Sequence, residues 1–264
     1  MSAYASCREL EGALSSDSES SIDVEEIGKR KMNILAIDIG GTGLKAALLD
    51  AKGNMLTERV RVPTPHPCFP KALLQALASL IEPLPKEFDC ISVGFPGVVK
   101  EGRIITAPLI GPEELSGLDL GRALTETFNK PVRVINDADM QGLAAVQGKG
   151  IEMVITLGTG FGSALFLNGK LAPHLELSIH PFRKGETYNE QLGNAALARV
   201  GKKKWNRRVE RAIVLLRSLT NFDKLYIGGG NARNIKFQLD RDVQIIPNED
   251  GIKGGAWLWK DETR

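Results

Sequence analysis

Asp38, Gly40, Gly41, Thr42, Gly43 and Lys45 crowd into one short turn between two apolar runs, 34–37 and 44–49. The glycines permit positive φ and the close approach of another group. Backbone N–H groups in such a turn form a concave anion site. Thr42 adds a hydroxyl, Lys45 a cation and Asp38 a carboxylate, so phosphate is the guest this turn suits. The alternative is a glycine-rich hairpin whose polar residues are incidental. It is not a P-loop, because no Gly-Lys-Ser/Thr opens a helix. The design returns in "TLGTGFGSALFL", where Gly158, Thr159 and Gly160 separate two further apolar strands. A third chemical feature is the run Lys202, Lys203, Lys204, Arg207, Arg208 and Arg211, opposed only by Glu210. A solvated helix face is the usual reading of a charge run. A one-signed patch also attracts polyanions.

The elements that must position these residues follow from periodicity. Strands are expected over 33–38, 43–50, 54–61, 90–99, 131–137 and 153–167, the last interrupted by its glycine turn. Helices are expected over 71–82, 119–128 with Asp119 as N-cap, 138–147 and 186–220. Trp205, Val209, Ala212, Ile213 and Leu216 make a buried stripe at helical spacing. "KLYIGGGNAR" gives a strand, three glycines and Asn231, and "GIKGGAWLW" a closing helix. Two matching glycine hairpins imply two similar α/β halves facing a cleft, with ligands at the strand ends. The domain expectation is 32–137 plus about 251–264 as a small domain and 138–250 as a large one. Residues 1–28 hold seven acids against Arg8, a net of −6, so the rest carries +8 of the chain's +2. Residues 1–31 are therefore expected to be a disordered acidic, serine-rich tail. No apolar run approaches a membrane span, and no basic-then-apolar leader opens the chain, so the cytoplasm is expected and no membrane partner. Cys7, Cys68 and Cys90 have no metal-type spacing.

In order, "AIDIGGTGLKAAL", "GFPGVV", "VINDADMQGLAA", "TLGTGFGSALF" and "LYIGGGNA" resemble the ROK family of sugar kinases, over about residues 32–258. "HPFRKGETYNEQLG", "GKKKWNRRV" and "LTNFDKLYIGGGNA" are similar to its polyphosphate glucokinase branch. The resemblance implies a two-lobed, actin-like α/β fold. It implies phosphoryl transfer from inorganic polyphosphate or ATP to the 6-hydroxyl of glucose, with Mg²⁺ bridging phosphate oxygens. By the same resemblance, 40–43 with Lys45 faces the transferred phosphoryl group, Asp38 holds the metal through water, and 158–160 holds phosphate from the opposite half. Gly228, Gly229, Gly230 and Asn231 resemble the adenosine-holding element. Phosphoryl transfer needs positioning, charge neutralisation and a base for the attacking hydroxyl. Asp137 is assigned as that base, with Asn136 orienting the sugar beside it. The alternative for Asp137 is a cap on the helix beginning near Ala138.

The sequence departs from the family at the sugar motif. Glu-x-Gly-His is usual; here Glu176 is followed by Ser178 and Ile179, and His180 comes one residue late. Ser178 or His180 stands in for the missing histidine, or sugar affinity is weak, or the preferred sugar differs; a packed or surface role for His180 is equally open. The family's cysteine-rich zinc segment is replaced by "KGETYNEQLG", so no zinc is expected. Glu190 is either a sugar contact there or an exposed helical glutamate. Lys203, Lys204, Arg207 and Arg208 are the expected polyphosphate track. Nucleic acid would meet the same charge criterion, but no stacking platform or helix-turn-helix accompanies the run, so no nucleic-acid partner is expected. Family members are often dimers, which makes a homodimer an expectation by resemblance. Competing readings are a kinase for another hexose, a degenerate non-catalytic sugar and phosphate binder, and a sugar-sensing repressor, for which residues 1–31 supply no DNA-binding helices.

Overall fold

The computed structural model describes residues 32–247 and 250–260. The expected tail, 1–31, lies outside these described residues, as do 261–264.

Two five-stranded mixed sheets carry the chain, and they are copies of one plan. In the first, β1 (Asn33–Ile39) runs antiparallel to β2 (Gly43–Asp50), which runs antiparallel to the edge strand β3 (Val60–Pro63). On the other side β4 (Cys90–Phe95) pairs parallel with β1. A small hairpin, β5 (Val99–Lys100) and β6 (Arg103–Ile104), precedes β7 (Val132–Asn136), which pairs parallel with β4. The order is β3-β2-β1-β4-β7. The second sheet repeats this with β8 (Ile151–Leu157), β9 (Phe161–Leu167) and β10 (Lys170–Leu171). A satellite pair, β11 (Pro181–Arg183) and β12 (Glu186–Thr187), separates these from β13 (Lys224–Gly228) and β14 (Val243–Ile245). Its order is β10-β9-β8-β13-β14, with the same senses of pairing. The central strands are apolar because both faces are covered: all six residues of β4 are buried.

The third strand begins later than the sequence predicts. Only an isolated bridge, Leu49 to Met55, occupies the expected start, because 51–59 is taken up by turns in which Asp50 binds the backbone of Lys52 and Asn54. The expected helix over 186–220 is broken too. β12 comes first, then a short helix, Tyr188–Leu192, then a long one, Asn194–Thr220, which kinks where Gly201 takes φ 73°. Its predicted apolar stripe is buried, with Trp205 Nε1 donating to Leu192 O at 2.9 Å.

The central helix, Asp137–Ala145, lies between the two sheets. It fits because one glycine on each side makes room. A Cβ on Gly94 would sit 2.7 Å from Met140 Cε, and one on Gly228 would sit 2.7 Å from the Gln141 amide. Those two glycines occupy equivalent places, Gly94 beside Asp38 and Gly228 beside Thr156. The closing segment, a helical turn Asp250–Lys253 and a 3-10 stretch Gly254–Trp259, returns to the first sheet. There Ile252 and Ala256 pack on Ile34, Ala36, Ala47 and Leu49. Ser92 Oγ donates to Gly255 O at 2.6 Å and accepts from Trp259 Nε1 at 2.8 Å.

Candidate active site

The C-terminal end of β1, the helix start after β7 and the turn after β8 converge on one cavity of about 380 Å³. Both glycine hairpins line it, and they nearly touch: a Cβ on Gly41 would lie 3.1 Å from Thr159 Cγ2. The first turn is closed by Gly40 N donating to Gly43 O at 3.1 Å. The proline-rich loop that follows β3 braces it from outside, with Thr64 Oγ1 donating to Gly40 O at 2.6 Å and the His66 ring 3.2 Å from Gly41 O. The second turn is closed by Gly158 N donating to Gly160 O at 3.0 Å. Asn231 ties the third glycine element to it, Asn231 N donating to Leu157 O at 2.8 Å and its amide to Gly158 O at 3.1 Å.

The cavity brings together Asp38, Gly40, Gly41, Thr42, Gly43, Lys45, Asn136, Asp137, Glu176, Gly158, Thr159, Gly160, Gly229, Gly230 and Asn231 from the sequence expectations. Gly228 is buried behind it and serves the central helix instead. Lys45 Nζ lies 2.7 Å from Asp38 Oδ2, and Arg61, opposite Lys45 on β3, adds a second cation to the lining. Asn136 is the helix cap: its Oδ1 accepts from Ala138 N at 2.8 Å and Asp139 N at 3.2 Å. Its amide donates to Gly97 O at 3.1 Å, fixing the Gly-Phe-Pro-Gly turn. Asn136 thus supplies the N-cap, while Asp137 Oδ1 also accepts from Ala138 N, at 2.9 Å. Asp137 is half-buried in the first helical turn. Desolvation first, then the nearby Asp38 carboxylate, pushes its pKa up to about 7, against the Ala138 N–H that accompanies it.

Behind Asp137 lies a buried polar group that sequence reasoning missed. His174 Nδ1 sits 3.1 Å from Asp139 Oδ2, and its Nε2 is 3.8 Å from Glu176 Oε2. Burial alone would lower the imidazole pKa, but Asp139 and Glu176 raise it to about 10. Ser178 Oγ donates to Glu176 Oε1 at 2.5 Å, and against the effect of burial the neighbouring His174 first, then Ser178, hold Glu176 below the usual glutamate range. Ser178 thus faces the cavity, whereas Ile179 is 54% exposed and outside it. Gln141, Thr156, Ser163, Asn194 and Arg233 also line the cavity without having been singled out.

Three expectations lie elsewhere. Glu190 is exposed and forms a capping box with Thr187, its Oε2 accepting from Thr187 N at 2.8 Å. His180 is exposed, 6.4 Å from the Tyr188 ring, with Nδ1 3.0 Å from Pro181 O. Neither lines the cavity, and neither do the four track cations. Lys203 and Arg207 line a separate groove of about 380 Å³ with Lys202, Lys236 and Phe237. Arg208 turns instead to Gln191 O, at 3.2 Å, where burial and the neighbouring Arg183 and Arg199 lower its pKa.

The ROK family model matches residues 34–173. The chain belongs to the ROK family. It is similar to a polyphosphate glucokinase of Mycobacterium tuberculosis, 28% identical, with 83% of this chain and 84% of that protein covered. An N-acetylmannosamine kinase of Shigella flexneri is 37% identical over a shorter stretch, 53% of this chain and 49% of that one. The solved inorganic polyphosphate/ATP-glucomannokinase of Arthrobacter sp. strain KM aligns with a TM-score of 0.77 at 33% identity, covering 85% of this chain and 97% of that one. The fold is the mixed α/β, actin-like sugar kinase fold, and the chain is a ROK sugar kinase, a phosphotransferase.

Proposed function

We propose that this kinase transfers a phosphoryl group from inorganic polyphosphate or ATP to the 6-hydroxyl of glucose. One observation carries the reading: a carboxylate with its pKa near 7, Asp137, stands at the meeting point of two glycine hairpins. A base is most effective when its pKa lies near the working pH. Asp137 accepts the proton of the attacking hydroxyl, Lys45 and Arg61 offset the charge of the phosphoryl group, and the backbone of both turns orients it. The oxygen donor set suits Mg²⁺, which binds through one or two carboxylates together with phosphates and water. Asp38 would hold the ion through water, and the ion would neutralise phosphate charge. Glu176, held by Ser178, is the sugar-binding carboxylate.

Polyphosphate as donor is supported by a cluster of like charges. Arg183 and Arg199 lie close enough to Arg208 to add to the effect of its burial, with Glu186, paired to Arg199 at 3.1 Å, opposing them. They surround the short helix Tyr188–Leu192, whose Asn189 Oδ1 accepts from Phe161 N at 3.1 Å beside the second glycine turn. A chain of phosphates leaving the cavity past Asn194 would meet this cluster, and a net positive field favours a long polyanion over one nucleotide. Lys204 and Arg211 extend the same side by helical spacing, which leaves Lys203 and Arg207 to the separate groove.

The test is purified protein with Mg²⁺, each donor in turn, and glucose, mannose or N-acetylmannosamine as acceptor, with sugar 6-phosphate as the readout. Glucose 6-phosphate formation from polyphosphate supports the reading. Product from another hexose only, or from none, contradicts it.

A further inference from the structure

His174 Nε2 is buried, has no hydrogen-bond partner among the described residues, and belongs to a side chain that lines the cavity. The ring is not free to turn, because Nδ1 is anchored on the buried Asp139, at 3.1 Å and 3.2 Å from its two oxygens. An unsatisfied buried donor costs free energy, all the more on a charged ring. Glu176 Oε2, the ring's ion-pair partner at 3.8 Å, is too far for a hydrogen bond. Glu176 cannot close the gap cheaply, since Ser178 Oγ holds its other oxygen at 2.5 Å. A hydroxyl oxygen about 2.8 Å from each atom spans such a separation. It would accept from Nε2–H and donate to the carboxylate, satisfying both.

We propose that His174 is a sugar-contacting residue: its Nε2–H donates to a ring hydroxyl that itself donates to Glu176, so the pair selects the acceptor. This rests on the hexose kinase reading and adds a specificity residue to it. Ile179 lies outside the cavity and offers no donor, whereas His174, between β10 and Glu176, lines it. The assignment extends to Asp139, a positioning residue that fixes the ring so that Nε2 rather than Nδ1 faces the cavity.

Calorimetric titration without donor decides it, with glucose and its 1-, 2-, 3- and 4-deoxy analogues against the native chain and His174→Gln. We expect His174→Gln to weaken glucose about tenfold. One deoxy analogue should bind both proteins equally, because the contact is already missing, while the others keep the tenfold gap. A gap of the same size for every analogue overturns the assignment and leaves the kinase reading intact. A native chain that binds no hexose overturns both. Should His174→Gln not fold, histidine-selective ¹⁵N spectra of the native chain serve, since it has three histidines. Glucose should shift the His174 Nε2–H signal and slow its exchange, and polyphosphate should not. A signal unmoved by saturating glucose refutes the contact.

Discussion

At Asp38 the first hairpin faces Lys45 across the ladder and Gly94 on the neighbouring strand; at the matching place the second has Thr156, facing Gly162 and Gly228. The two halves share strand order, pairing sense and even the glycine that admits the central helix. Yet the first hairpin carries the Lys45–Asp38 ion pair with Arg61 beside it on β3, whereas the second brings Thr156, Thr159, Phe161 and Ser163 and no charged side chain of its own to the cavity. Duplication therefore supplies two walls, and different side chains around the two glycine turns make the site directional. The first half sets Asp38, Lys45 and Arg61 around the first glycine turn and supplies Asp137, while the second half brings Glu176, His174 and Arg233 to the cavity from outside its own glycine turn.

Removing charge from the first hairpin should cost most. Lys45→Met is expected to lower kcat by about 10²-fold, the scale of a lost transition-state contact. Thr156→Val, at the equivalent neutral position, should stay within about threefold. Similar losses in steady-state assays of the two would break the asymmetry.

The second effect concerns the donor. Changing Arg183 and Lys204 together to Gln should cut kcat/KM for polyphosphate about tenfold at low salt and leave ATP within about twofold, since exposed charges steer long polyanions. The same pair of changes at Lys203 and Arg207, in the separate groove, should do less. Equal losses for both donors would remove the cationic path from the account.

The smallest effect concerns Glu190, which does not line the cavity. Glu190→Gln should leave the glucose KM within twofold and lower Tm by about 2 °C through the weakened capping box. A tenfold rise in KM would return Glu190 to the sugar pocket.

These contrasts also show what the sequence made legible. Each glycine turn is a local event, strand to glycine to strand, so both hairpins and Asp137 stand out in a linear reading. Asn136 was visible as a polar residue at a strand end, but its capping of the central helix emerges only once Asp137 is seen to be the first helical residue. Glu190 did carry a local signal, Thr187-x-x-Glu190, the capping-box spacing. His174 had none, because its meaning comes from Asp139, which lies 35 residues earlier and on another element. Arg61 joins the cavity through the register of β3, and the strand's true start depended on turns that Asp50 organises.

The central claim is that Asp137 is held ionisable near neutral pH at a cost to the fold, because deprotonation serves the reaction. Its pKa rises from 3.8 in the unfolded chain to about 7 when folded. The native state therefore binds more protons between those values, and ionised Asp137 destabilises the fold fully only above pH 7, less as pH falls toward 4. Asp137→Asn, measured for kcat, glucose binding and Tm across pH 4–8, tests this most directly. The account predicts a 10²–10⁴-fold loss of kcat, glucose affinity within about threefold, and a Tm above the native chain's at pH 8 by several degrees, shrinking toward zero at pH 4. A variant that keeps kcat within tenfold of the native chain, or that is less stable at pH 8, would contradict it.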